Sequence, residues 1–110
     1  MAVKPGRLDE FEKLTGEMVA ATRAERGVVA YQRFISGDRR TVYVHERYED
    51  SEAAVAHLRK FATTFGTRYS RMVERKRFVV FGQPNDALRT LLDEYDAAYH
   101  LPFGPFAYWG

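Results

Sequence analysis

The stretch between Val28 and Tyr48 constrains the fold of this chain more than any other. Val28-Val29-Ala30-Tyr31, Phe34-Ile35 and Val42-Tyr43-Val44 place apolar groups at consecutive positions. β-Branched and aromatic residues dominate both runs, and Ser36-Gly37-Asp38 between them is turn chemistry, so a β-hairpin of 28–36 and 41–48 is predicted. Simple alternation puts Val28, Ala30 and Phe34 on one face of its first strand and Val29, Tyr31 and Ile35 on the other. Neither face can be left in water without exposing a large apolar patch. Helices can cover one side. The other needs a separate cover, and the simplest is a second copy of the same sheet, so a homodimer is expected.

The flanking segments supply the helices. Met1-Ala2-Val3-Lys4 reads as the stub of a strand, ended by Pro5-Gly6. Leu8, Phe11, Leu14, Met18, Val19 and Thr22 recur at three and four, one stripe on a helix of about 18 residues that stops before Gly27. Asp50-Ser51 is N-cap chemistry, and Ala54, Leu58, Phe61, Ala62 and Phe65 repeat at helical spacing until Gly66. Residues 67–74 are ambiguous, with a short helix as one option. Residues 75–82 read as the fourth strand, with Val79-Val80-Phe81 at its centre. Asn85-Asp86 then caps a last helix whose apolar face is Leu88, Leu91, Leu92, Tyr95 and Tyr99. The tail, 101–110, holds Pro102 and Pro105 and is too aromatic to be a solvated end. The predicted class is α+β: a ferredoxin-like βαββαβ unit with an extra C-terminal helix, one domain over residues 1–110.

Composition removes several function classes. There is no cysteine, which excludes a disulfide framework, a zinc ribbon and a thiolate nucleophile. No apolar run approaches the roughly 18 residues of a membrane span, and the first residues have no signal-peptide character; no membrane association and a cytoplasmic location are expected. The glycines form no phosphate-binding pattern, and Ser36, Ser51 and Ser70 lie in no nucleophile elbow. The formal charge of +2 argues for no nucleic-acid partner. The only basic cluster, Arg68, Arg71, Arg75, Lys76 and Arg77, is broken by Glu74 and reads as a solvated face, and no strand carries the aromatic pattern of an RNA-recognition fold.

The remaining chemistry centres on His57 and Glu46. His45, His57 and His100 show no paired spacing, so no metal site is predicted. His57 flanks the apolar stripe of the second helix, where an imidazole reaches the space between helix and sheet and can act as a general base; the alternative is a purely structural hydrogen-bonded histidine. Glu46 lies mid-strand on the face of Val44 and Tyr48. Once covered it must be paired, with Arg33 or His57 as candidates, in a structural or a catalytic role. Tyr31 and Tyr43 offer phenolic donors, although core tyrosines more often only satisfy their own hydroxyls.

Glu25-Arg26-Gly27-Val28-Val29-Ala30-Tyr31, followed by Glu46-Arg47-Tyr48-Glu49-Asp50 and Ala53 to His57, resembles the E-x-G-x-x-x-Y and E-x-W/Y-x-D-x-x-A-x-x-x-H pattern of the antibiotic biosynthesis monooxygenase family. The likeness spans about residues 3–82. It implies a dimeric α+β barrel with a pocket in each subunit between helices and sheet. Some relatives oxygenate quinols or phenols there without metal or flavin, and others degrade haem. The haem-degrading members carry a tryptophan on the second helix, whereas the single tryptophan here is Trp109. The resemblance therefore implies cofactor-independent oxidation of a small aromatic, phenolic or quinol ligand, with Tyr31, Phe61 and Phe65 as pocket walls, His57 as base or its partner, and Glu46 orienting it. A non-enzymatic member that binds a small apolar ligand is the alternative.

Overall fold

The computed structural model describes residues 1–104; the last part of the predicted aromatic tail, 105–110, lies outside the described residues. The elements run β1 (Ala2–Val3), α1 (Leu8–Arg23), β2 (Val28–Ile35), β3 (Val42–Tyr48), α2 (Ser51–Thr64), α3 (Gly66–Met72), β4 (Val73–Glu74), β5 (Val79–Phe81), α4 (Asp86–Asp93) and β6 (Ala98–His100). No helix among the described residues is long and apolar enough to cross a membrane.

The predicted hairpin forms, with Tyr31 opposite Glu46, Arg33 opposite Val44 and Ile35 opposite Val42. A bulge between Val28 and Ala30 breaks the alternation, because Val28 pairs with Tyr48 while Ala30 pairs with Arg47. Directly opposed residues share a face, so Val28 joins Tyr31 on the helix side, and the simple-parity grouping of Val28 with Ala30 and Phe34 is corrected. The outer face carries the cross-strand pair Phe34 and Tyr43, exposed by 56% and 68%. β1 pairs antiparallel with β4 and joins β3 through the Ala2–Thr41 bridge, which gives the order β4-β1-β3-β2.

The fourth strand of that order is β4, not residues 75–82. α3 takes up the ambiguous segment and delivers Val73 inward beside Val3, and a two-residue β1 ended by Pro5 can bind only a partner equally short. Val79–Phe81 is a strand, but it pairs in parallel with β6, with α4 as the connection. Tyr99, expected on the last helix, lies on β6. The helix ends at Asp93 and the chain turns through Asp96 at φ 55°, a left-handed conformation that Asp tolerates.

Two core clusters result. Phe11, Leu14 and Met18 of α1 pack with Val42, Phe65, Met72 and Val73. Ala54 packs with Leu88 and Leu92 of α4, with Tyr48, Leu58, Val80 and Tyr99 against them. α2 serves both: Ala54 and Leu58 belong to the second, and Phe61, with Phe65 at the C-cap, to the first. Its register is fixed by Asp50, whose carboxylate accepts the Ala53 N–H at 2.8 Å. Gly27 ties the entrance of β2 to α2, since its carbonyl accepts the Glu49 N–H at 2.7 Å and a Cβ there would lie 2.6 Å from that of Ala53. With φ at +80° as well, only glycine fits this approach.

Candidate functional site

His57 sits on the stretch of α2 where one core cluster gives way to the other, and is only 4% exposed. Each ring nitrogen meets a carboxylate: Nδ1 lies 2.9 Å from Glu25 Oε1, and Nε2 lies 3.3 Å from Glu46 Oε1. Glu25 comes from the turn after α1, and Glu46 projects from the helix-facing side of β3. The Tyr48 hydroxyl donates to the same Glu46 oxygen that faces His57. The rings of Tyr31 and Tyr48 flank the imidazole at 5.2 Å and 5.5 Å.

An imidazole between two carboxylates is satisfied on both sides only when both nitrogens carry protons. Burial alone would lower the His57 pKa, but the hydrogen bonds and charges of Glu46 and Glu25 together outweigh it, so His57 is held above its ordinary 6.5. Glu46 shows the converse balance. Burial would raise its pKa, yet His57, Tyr48 and the charge of Arg33 hold the carboxyl below the usual 4.5. Burial, followed by the Glu46 charge, pushes the Tyr48 hydroxyl well up. The Tyr31 and Tyr69 hydroxyls are also raised, chiefly by burial. These phenols act as donors, not bases, around neutrality.

Arg33 shares the helix-facing side with Tyr31. Its Nη2 donates to the Tyr31 hydroxyl at 2.7 Å, and its guanidinium carbon lies 4.1 Å from the centre of that ring. Nε and Nη1 are buried with no acceptor among the described residues. Leaving a buried donor empty costs about 1–3 kcal/mol, and more on a charged group.

The sequence-predicted residues are thus brought together unequally. His57, Glu46 and Tyr31 form one constellation. Phe61, one turn further along α2, and Phe65 at its C-cap lie 6.4 Å apart and pack in the first core cluster, as Tyr31 does in part. Tyr43 points away, on the outer face. Two grooves, of about 370 and 380 Å³, lie against α1 and α3 (Glu10, Leu14, Arg68) and between α2 and α4 (Leu58, Leu91, Tyr95); neither borders His57. The constellation reaches the surface instead at Glu46, whose side chain is 30% exposed. Sequence reasoning did not assign Glu25 or Tyr48 to the site, and it offered Arg33 as a partner of Glu46 rather than of Tyr31. Tyr48 was within reach of the parity argument, because it shares a face with Glu46. For Glu25 the only signal was its place in the family pattern.

The crystal structure of MupZ from Pseudomonas fluorescens is similar in fold, with a TM-score of 0.81 and 19% identity over 97% of this chain and 88% of that one. Among curated proteins none matches the sequence significantly. The sequence profile described as "Antibiotic biosynthesis monooxygenase" matches residues 1–75. Its match ends just past β4, short of the 82 expected, where the sheet that holds the site is complete and the β5-α4-β6 addition begins. The chain belongs to the antibiotic biosynthesis monooxygenase family.

Proposed function

We propose that the protein oxidises an electron-rich phenol or hydroquinone with dioxygen, without a cofactor, as a homodimeric α+β barrel. Family membership supports a monooxygenase-like role. The single observation that carries the site assignment is the buried His57 between Glu25 and the partly exposed Glu46. A phenol with an unsubstituted ring position and one dioxygen give a quinone and one water, so the substrate supplies all the electrons and no external reductant is needed. The protein's task is to remove the hydroxyl proton and hold the phenolate, whose electron density suffices to reduce dioxygen. Glu46 receives that proton at the surface of the constellation and passes it to His57 Nε2. Glu25 holds the imidazole from behind, and Tyr48 orients Glu46. A proton acceptor whose pKa is raised from 6.5 is better matched to a phenol than a free carboxylate is.

The second reading, a non-enzymatic barrel that binds a small apolar ligand, draws on a specific observation: both His57 nitrogens are already engaged, and neither groove reaches them. Oxygen uptake over a panel of hydroquinones, naphthols and anthrones separates the two. Enzyme-dependent uptake with stoichiometric quinone formation is expected for at least one compound. No uptake above the uncatalysed rate on any of them favours the binding protein.

A further inference from the structure

We infer that Arg33 is the oxyanion-binding residue of this site: its buried Nε–H and Nη1–H groups receive the ionised hydroxyl oxygen of an acidic hydroxyarene whose proton Glu46 has taken. The inference rests on the proposed reading of the site and specifies the ligand group that site recognises. Three facts carry it.

First, Nε and Nη1 are buried without an acceptor among the described residues, although two carboxylates lie on the same side of the sheet. Glu25 and Glu46 are both committed to His57, and Arg33 spends only Nη2, on Tyr31. A guanidinium carries five N–H groups, so three protons, one on Nε and two on Nη1, have no acceptor among the described residues. Second, the register sets the distance. Tyr31 faces Glu46 across the hairpin, which makes Arg33 the diagonal neighbour of Glu46 on one face, a spacing of roughly 7–8 Å that long side chains span. One hydroxyl oxygen placed between them meets an acceptor on one side and donors on the other. Third, Glu46 Oε1 holds both His57 and Tyr48, while Oε2 carries no hydrogen bond among the described residues and is free for a proton.

The step balances without a further reactant. The substrate O–H bond breaks, its electron pair stays on oxygen beside Arg33, and the proton moves to Glu46 and on to His57. Net charge in the interior is unchanged, because a neutral ligand enters and the charges separate between two groups built to hold them. The hydroxyls of Tyr31, Tyr48 and Tyr69, raised by burial, stay protonated and do not compete for the proton.

The test uses 4-nitrophenol, an unreactive probe whose phenolate absorbs separately from its phenol, bound to the full chain across neutral pH. Wild type is expected to bind the phenolate at least tenfold more tightly than the phenol. Arg33→Met abolishes that preference, and Arg33→Lys, which keeps the charge but lacks the Nε–H, retains only part of it. Arg33→Met keeps an apolar chain of similar length and removes the two acceptor-less donors, at the loss of the bond to Tyr31. If Arg33→Met nevertheless fails to fold, the Arg33→Lys comparison still decides. A preference unchanged in either variant, or a wild type that favours the phenol or binds neither form, overturns the assignment. Phenolate preference without oxygen uptake on any hydroquinone sinks only the oxygenase reading; oxygen uptake without the preference sinks only the role of Arg33.

Discussion

His57→Ala lowers oxygen uptake on the best hydroquinone by about 10²-fold or more, the usual worth of a positioned general base. Glu46→Gln is expected to fall by a similar factor, because an amide cannot carry the proton from substrate to imidazole. The wild-type pH profile gives the sign. His57 is raised above 6.5, so at pH 6.5 most of it is protonated and cannot accept a proton. The rate therefore climbs about tenfold per pH unit through the acidic side and levels off only above 6.5, at the folded pKa. Glu25→Gln distinguishes positioning from proton transfer. Removing one of the carboxylates that favour the imidazolium lowers the His57 pKa, so the rising limb moves to more acidic pH while the plateau rate holds within a few-fold. Steady-state oxygen-electrode measurements between about pH 5 and 9 follow both effects. A flat profile, or a Glu25→Gln limb that moves to more alkaline pH, contradicts the assigned roles.

Charging the outer face of the sheet dissociates the molecule. Phe34 and Tyr43 are directly opposed across β2 and β3 and exposed by 56% and 68%. An exposed cross-strand aromatic pair on a sheet face is the kind of anchor on which an interface core is built. Wild type is expected to sediment at about twice the 12.7 kDa of one chain, and Phe34→Glu combined with Tyr43→Glu at the monomer mass. The double variant opposes two like charges on each sheet and leaves them without partners in an apolar contact, which costs several kcal/mol. Its helices and hydrophobic core are untouched, so its circular dichroism spectrum stays that of wild type. A wild-type chain that sediments as a monomer removes the barrel.

Periodicity carried most of the fold. The stripe from Phe11 to Thr22 named α1 and its buried face, and Asp50 named the start of α2 through a side chain that accepts the Ala53 N–H. β4 escaped because two residues have no period, while Val79-Val80-Phe81 offered the more conspicuous run. Tyr99 was misplaced because a helical stripe continued arithmetically past Asp93, and only the turn at Asp96 breaks it. The bulge near Val29 was equally silent, since nothing in alternating apolar residues marks where one of them drops out of register. The site was half legible for the same reason. His57 and Glu46 stand on regular elements whose faces can be counted. Glu25 stands in an irregular turn and reaches His57 across 32 positions of sequence, a contact that no local pattern encodes. That Nε and Nη1 of Arg33 meet no acceptor among the described residues depends on its whole surroundings, and parity says only which face it is on.

The most direct test of the account is an NMR titration of the His57 ring, assigned by comparison with His57→Ala and read through its nitrogen shifts. A doubly protonated imidazole at pH 6.5, with both nitrogens in N–H form and an apparent pKa above that value, is the predicted result. A single neutral tautomer that persists well below pH 6.5 would mean that the two carboxylates do not hold a proton there, and the proton path drawn through Glu46 would be lost.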